Sequence, residues 1–176
     1  MPKRCVALLR GINLGGHKRV PMAELRRLVE SLGFTEVVTL LNSGNVVFTA
    51  RASAMRGAAG RIEQAVLEAL GVSARVTVLT TDELAQILDE NPLAEICDDP
   101  SRMLIAVFTE PAARAKAEAL MQESWKPEVL AVRKRAAYLW CVNGIAAGRL
   151  AEAVDRTLRN GVTARNLRTM TKLLDR

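Results

Sequence analysis

The sequence predicts an α+β protein of two tandem units with four strands each. Two observations support this fold class. Short runs of apolar and β-branched residues alternate with segments of helical periodicity, and the same order of strands and helices occurs twice along the chain. The 176 residues are 49% hydrophobic and 25% charged, which is typical of globular proteins. The predicted boundaries are 1–80 for the first unit, 81–100 for an acidic helix and linker, and 101–176 for the second unit with a C-terminal helix.

The first unit begins with a strand, a glycine-rich loop and a helix. Residues 4–9 are an apolar run that favours a buried strand, and the glycines that follow favour a loop. Apolar residues then recur at helical spacing over residues 22–32. We therefore expect a helix with Pro21 at its first position and Gly33 as its C-terminal stop.

A hairpin, a second helix and a fourth strand complete the first unit. Residues 37–41 and 46–49 are β-branched runs, and residues 42–45 between them, Asn-Ser-Gly-Asn, have the composition of a turn. Helical periodicity returns over residues 62–70, and residues 75–79 predict the last strand. The order is therefore β-α-β-β-α-β.

The second unit repeats this order after a short acidic helix over residues 81–90. The predicted elements are a strand at 103–109, a helix at 112–124, strands at 129–133 and 137–142, a helix at 146–158, a short strand at 162–164 and a final helix at 166–174. The repeated order predicts two ferredoxin-like αβ plaits. One continuous mixed sheet is the alternative, and the strand order decides between them.

This topology predicts a binding edge in the first unit. Right-handed crossover brings residues 10–19, the start of the first helix and residues 42–45 to one edge of the sheet. Glycines allow close backbone approach, a helix N-terminus offers unpaired N–H groups, and basic side chains add positive charge. This combination suits a phosphate or carboxylate, with Arg10 as its charge partner and the amides of Asn13 and Asn45 orienting it. The predicted ligand-binding residues are Arg10, Gly11, Asn13, Gly15, Gly16, His17, Lys18, Ser43, Gly44 and Asn45.

Other interpretations of these residues stay open. The loop matches neither the P-loop nor the G-x-G-x-x-G pattern, so its glycines can equally be turn formers. His17 is the only histidine, which excludes a metal site built from several histidines. We expect Ser43 to serve the turn rather than to act as a nucleophile. No catalytic residue, cofactor or metal follows from the sequence. The turn Arg133-Lys134-Arg135 is either a second anion patch or a solvated hairpin tip.

The charge distribution suggests anionic partners. The net charge is +6, with seven basic residues and one acidic residue over 3–27, and seven basic and three acidic residues over 149–176. Nucleic-acid association through these basic termini is therefore one alternative. The low aromatic content of 3% argues against a base-stacking surface.

The cysteines and the apolar runs indicate a cytoplasmic protein with no membrane partner. Cys5, Cys97 and Cys141 form no C-x-x-C pair, and we expect three free thiols. No apolar run approaches the roughly 20 residues that span a bilayer, and the N-terminus lacks a signal-peptide core.

Three stretches resemble an uncharacterised bacterial family, domain of unknown function 1697. They are Ala-Leu-Leu-Arg-Gly-Ile-Asn-Leu-Gly-Gly-His at 7–17, Val-Pro-Met-Ala-Glu-Leu at 20–25 and Ser-Gly-Asn-Val-Val-Phe at 43–48, and residues 163–174 are similar to the family's C-terminal signature. The resemblance implies tandem αβ plaits and no established activity. The chain departs from the family pattern at Asn42, Gly148, Arg149 and Leu167. Residues near the C-terminal signature form a candidate second site, Arg149, Arg165, Asn166 and Lys172.

The sequence thus leaves the reaction, if any, open. We expect an uncharacterised protein that binds a small anionic ligand at the glycine-rich edge of its first unit. Nucleic-acid association and a purely structural or protein-interaction role are the alternatives. Whether the protein is an enzyme, which cofactor it uses and how it oligomerises do not follow from the sequence.

Overall fold

The computed structural model describes all 176 residues and confirms the mixed α+β class. Eight strands form two four-stranded antiparallel sheets, accompanied by seven α-helices and two 3₁₀ segments. The chain divides into two compact units, one of Met1–Leu84 with Leu173–Arg176 and one of Ala85–Lys172. No helix is both long and apolar enough to cross a membrane.

The first unit has the strand order β2-β3-β1-β4, in which β1 pairs antiparallel with both β3 and β4. Its elements are β1 (Pro2–Arg10), α1 (Met22–Ser31), β2 (Thr35–Leu40), β3 (Asn45–Arg51), α2 (Ala52–Met55), α3 (Ala58–Leu70) and β4 (Arg75–Thr80). The sequence predicts all of them except α2, whose single turn is too short to show a period. Pro21 is the N-cap of α1, with extended ψ of 134°, rather than its first helical residue as predicted.

The cluster that packs against α1 lies on one face of the sheet of the first unit. Cys5, Ala7 and Leu9 of β1 are buried in one cluster with Leu25 and Val29, which are four residues apart on α1. Successive strand residues point to opposite faces. The alternate positions of β1, which include its last residue, therefore lie on the other face.

The second unit has the equivalent strand order β6-β7-β5-β8. The remaining elements of the chain are α4 (Thr81–Asp89), the 3₁₀ segment Ala94–Ile96, β5 (Met103–Phe108), α5 (Pro111–Leu120), β6 (Val129–Val132), β7 (Ala136–Trp140), α6 (Arg149–Leu158), the 3₁₀ segment Arg159–Gly161, β8 (Val162–Asn166) and α7 (Leu167–Leu174). The α5 helix ends four residues before its predicted end at 124. The α6 helix begins three residues after its predicted start at 146, because turns closed at Gly144 and Gly148 precede it.

Candidate functional site

The glycine-rich loop of the first unit folds into a small hairpin. The Asn13 N–H donates to the carbonyl of Lys18 at 3.0 Å, and the His17 N–H donates to the carbonyl of Leu14 at 2.9 Å. Residues 14–19 are exposed. The loop therefore presents His17 and Lys18 to solvent.

Gly15 and Gly16 form the tip of this hairpin. Their φ angles are +56° and +81°, and two successive positive values are characteristic of a type I′ turn. A β-carbon at either position would meet nothing within 4 Å. Glycine is needed here for its backbone conformation, and the space beside the backbone is open.

Asn13 joins the loop to the β2–β3 turn. Its Nδ2 donates to the carbonyl of Val20 at 3.1 Å and to the carbonyl of Asn42 at 2.6 Å. Its Oδ1 accepts from the Val20 N–H at 2.8 Å. The predicted meeting of residues 10–19 with residues 42–45 is confirmed. Both amide hydrogens of Asn13 are engaged inside the protein, so its contacts support a structural role rather than the predicted orientation of a ligand.

The predicted residues of the turn also have structural contacts. Asn45 is fully buried, and its Nδ2 donates to the carbonyl of Leu40 at 2.7 Å and to Ser43 Oγ at 2.9 Å. Gly44 has a φ of +85°, and a β-carbon there would lie 2.5 Å from Cδ1 of Ile12. These contacts shape the turn and leave the Asn45 amide no donor for a ligand.

A depression of about 290 Å³ lies between the loop, the turn and the start of α1. The α1 N-terminus has no side-chain cap, and its first internal hydrogen bond runs from Leu25 N–H to the Pro21 carbonyl at 3.0 Å. The N–H groups of the first helical turn therefore have no partner within the helix. The lining residues are Asn13, Gly16, Arg19, Val20, Pro21 and Asn42.

Four of these lining residues, Arg19, Val20, Pro21 and Asn42, are missing from the predicted set. Their signal in the sequence is positional, since Arg19 and Pro21 directly precede the helix and Asn42 begins the turn. Arg19 is exposed and is the one cation among the residues that line the depression.

Arg10 lies elsewhere on the same edge. Leu9 belongs to the core on the helix side of the sheet, so Arg10 lies on the opposite face. Its partner in the register is Arg75 of β4, and like charges directly opposite each other repel. Gly11, with φ of +82°, begins the loop next to it. Arg19 lines the depression and Arg10 does not. Arg19 is therefore the residue placed to make the charge contact with an anion that the sequence predicts for Arg10.

Two residues of the candidate second site, Arg149 and Asn166, have separate local contacts. The Arg149 guanidinium lies 5.8 Å from the ring centroid of Trp125. Asn166 Oδ1 accepts from the Thr169 N–H at 2.8 Å and caps the start of α7. The other two, Arg165 and Lys172, lie on β8 and α7.

The second unit contains a buried carboxylate. Glu128 Oε2 accepts from the Leu150 N–H at 3.0 Å, at the start of α6, and Oε1 has no hydrogen-bond partner. Burial, with a smaller contribution from Glu128, raises the pKa of the Cys141 thiol to about 12. No three His, Cys, Asp or Glu side chains are grouped as metal ligands.

Comparisons with known proteins place the chain in an uncharacterised group. The family model "Protein of unknown function (DUF1697)" matches residues 2–138. The solved structure of the conserved bacterial protein SP0830 from Streptococcus pneumoniae has a TM-score of 0.77 and 23% sequence identity, over 99% of this chain and 98% of that chain. This likeness shows the fold over both units. No curated protein matches the sequence.

Proposed function

The chain belongs to DUF1697, a family of proteins of unknown function, and from that premise we propose that its first unit binds a small ligand bearing a phosphate or carboxylate. The observation that carries the proposal is the depression of about 290 Å³, because an exposed cation and a glycine line it and the uncapped start of α1 directly follows its lining residue Pro21. The proposed contacts are Arg19, Gly16 and the first N–H groups of α1.

The charges around the depression favour an anion. Its lining contains Arg19 and no carboxylate. The nearest acid on α1, Glu24, is paired with Arg27 at 2.8 Å. A helix N-terminus carries about half a positive charge, and backbone donors at Gly16 need no side-chain ordering before they bind. Together they support binding of one negatively charged group.

The remaining predicted residues have supporting roles in this proposal. Lys18 and Arg10 add positive potential at the edge without lining the depression, and His17 is exposed beside Lys18. Asn13, Gly44 and Asn45 fix the shapes of the loop and the turn.

Salt bridges weaken the case for the nucleic-acid alternative. In the basic N-terminal segment Arg26 pairs with Glu30 at 2.9 Å, and Arg27 pairs with Glu24. Neutralised arginines attract a phosphate backbone less than free ones. A pocket that binds one anion needs only Arg19, so the ion pairs of Arg26 and Arg27 do not affect it.

The finer fold assignment is also a proposal. Both strand orders, β2-β3-β1-β4 and β6-β7-β5-β8, with helices between the strands, support a ferredoxin-like plait in each unit. We keep 1–80, 81–100 and 101–176 as the proposed limits of the two plaits and their linker.

The test is a ¹H–¹⁵N NMR titration with inorganic phosphate at constant ionic strength. We expect the amide signals of Gly15, Gly16 and Arg19 to shift with saturation. Arg19→Ala should weaken binding by up to about 1 kcal/mol, the limit for an exposed ion pair. Arg26→Ala is the matched control on the exposed face of α1, and Arg10→Ala should have the smaller effect of a more distant charge. Equal losses in Arg19→Ala and Arg26→Ala, or no shift at Gly16, would refute the site.

The ionic strength dependence separates the two functions. Binding of one phosphate should weaken little between 50 and 200 mM salt, whereas a surface that contacts 6–10 nucleic-acid phosphates loses roughly 10³–10⁵ in affinity over that range. A steep loss of affinity for a short DNA duplex, with no binding of inorganic phosphate, would favour the nucleic-acid role.

A further inference from the structure

The second unit repeats the edge geometry of the proposed site. In the first unit the Leu9 N–H donates to the Gly44 carbonyl at 2.8 Å and joins the end of β1 to the β2–β3 turn. In the second unit the Phe108 N–H donates to the Arg135 carbonyl at 2.9 Å and joins the end of β5 to the β6–β7 turn. The strand registers agree with this equivalence. The two edges therefore correspond position by position.

The connection at this edge differs between the units. Eleven residues, 11–21, link β1 to α1, whereas only Thr109 and Glu110 link β5 to α5. With a two-residue connection, the edge of the second unit has an open depression of about 600 Å³. Its lining residues are Phe108, Thr109, Glu110, Pro111, Arg114, Lys134 and Arg135.

The depression is lined by both basic and apolar side chains. Arg114 comes from α5, and Lys134 and Arg135 come from the turn, against the single carboxylate of Glu110. Arg114 is also paired with Glu118 at 2.8 Å. Lys134 is exposed and is the cation on which the proposal depends.

An aromatic side chain in the lining, Phe108, is the feature that the first depression lacks. The half-buried Phe108 lines the depression together with Pro111 and the exposed Lys134. Aromatic and proline surfaces bury a flat or aliphatic group favourably, and long basic side chains cover apolar surface with their methylene stems. Inorganic phosphate has no apolar group that could cover the surface of Phe108 and Pro111, whereas an organic phosphate has one.

We propose that this depression is a second binding site, which takes a small organic phosphate through its charge at Lys134 and through its apolar group at Phe108. The site is independent of the one proposed in the first unit. Its volume is about twice as large, 600 against 290 Å³, and its lining includes an aromatic side chain, Phe108, against which an organic substituent can pack.

The test is an NMR titration of the whole chain with phenyl phosphate, with inorganic phosphate as the reference probe. We expect phenyl phosphate to shift the amide signals of Phe108, Thr109 and Lys134, with inorganic phosphate affecting them much less. Lys134→Gln should weaken this binding by up to about fivefold, the limit for an exposed ion pair. Lys134→Arg should restore it. Lys116→Gln, which removes a charge from α5 outside the depression, is the matched control.

Three results would overturn the proposal. They are no phenyl phosphate shifts at this edge, equal shifts with inorganic phosphate, and equal weakening by Lys134→Gln and Lys116→Gln. The signals of Gly16 and Arg19 report the first site in the same spectra. Failure of one proposal is thereby distinguished from failure of the other.

Discussion

The side chain of Asn13 donates a 2.6 Å hydrogen bond to the backbone carbonyl of Asn42, across a sequence separation of 29 residues. The same amide group bonds both the N–H and the carbonyl of Val20. One side chain therefore ties together the glycine-rich hairpin, the β2–β3 turn and the segment that leads into α1. These are the three walls of the depression in the first unit.

Replacing Asn13 should destabilise the first unit and abolish phosphate binding there. Asn13→Ala removes three hydrogen bonds, each with a net contribution of about 0.5–1.5 kcal/mol before allowance for solvent exposure. It also places alanine at a φ of +53°. We expect a loss of about 2–4 kcal/mol in the free energy of unfolding, measured by urea denaturation.

Asn13→Gly is the control for backbone strain. Glycine adopts positive φ without a steric cost, so this variant loses only the hydrogen bonds and should be the more stable of the two. If both variants unfold at the wild-type urea concentration, the Asn13 amide contributes nothing to the edge.

The strands and their meeting at one edge were predictable because they depend on local pattern and chain topology. Residues 46–49 are β-branched or aromatic, and they form the centre of β3. Crossover geometry then places the loop after β1 beside the turn after β2, whatever the side chains are. The bond between Asn13 and Asn42 confirms that consequence.

The roles of individual residues at the edge were not predictable in the same way. The amide partners of Asn13 and Asn45 depend on a loop in which even Lys18 and Leu41 adopt positive φ, and no periodicity encodes such angles. The sequence predicts a charge contact for Arg10 from its position next to the glycines, and strand alternation places Arg10 on the sheet face opposite to Leu9. To predict which of Arg10 and Arg19 contacts the anion, one has to know that β1 extends to residue 10.

Thiol reactivity should distinguish Cys97 from the other two cysteines. Cys5 and Cys141 are buried, and Cys97 is half-buried and free. Burial raises the pKa of all three thiols.

We expect three reactive thiols in unreduced, denatured protein and one slowly reacting thiol, that of Cys97, in native protein at pH 8, measured with a disulfide reagent. The native rate should increase above pH 9, where more thiolate forms, and Cys97→Ser should abolish it. A persistent disulfide would contradict the assignment of three free thiols.

The protein should lose stability at alkaline pH because buried acids ionise on unfolding. Burial raises the pKa of Cys141 from 9.0 to about 12 and that of Tyr138 from 10.0 to about 12. The Tyr138 hydroxyl also donates to the Ile87 carbonyl at 2.6 Å. Each group stabilises the fold fully below its unfolded pKa, and this contribution is lost as the pH rises towards 12, because only the unfolded chain releases the proton.

Urea unfolding from pH 8 to 11 tests this dependence. Each group should lower the free energy of unfolding by up to about 1.4 kcal/mol per pH unit above its unfolded pKa. Cys141→Ala should reduce the slope above pH 9, and Tyr138→Phe should reduce it above pH 10, whatever each substitution costs at pH 8. If both variants have the same slope as the wild type, the pKa values of Cys141 and Tyr138 are not raised in the folded protein.

A final prediction compares Gly44 with Gly15, two glycines with positive φ at the same edge. A β-carbon at Gly44 would lie 2.5 Å from Ile12 Cδ1 and 2.9 Å from Leu9 Cβ, whereas one at Gly15 would meet nothing within 4 Å. Gly15→Ala should cost only the backbone strain, about 1–2 kcal/mol. Gly44→Ala should add about 1–3 kcal/mol of steric overlap, because Ile12 and Leu9 are buried in the core. Urea denaturation of the two variants measures the difference. Equal losses would mean that Ile12 moves aside freely and that the turn is not held against the core by close packing.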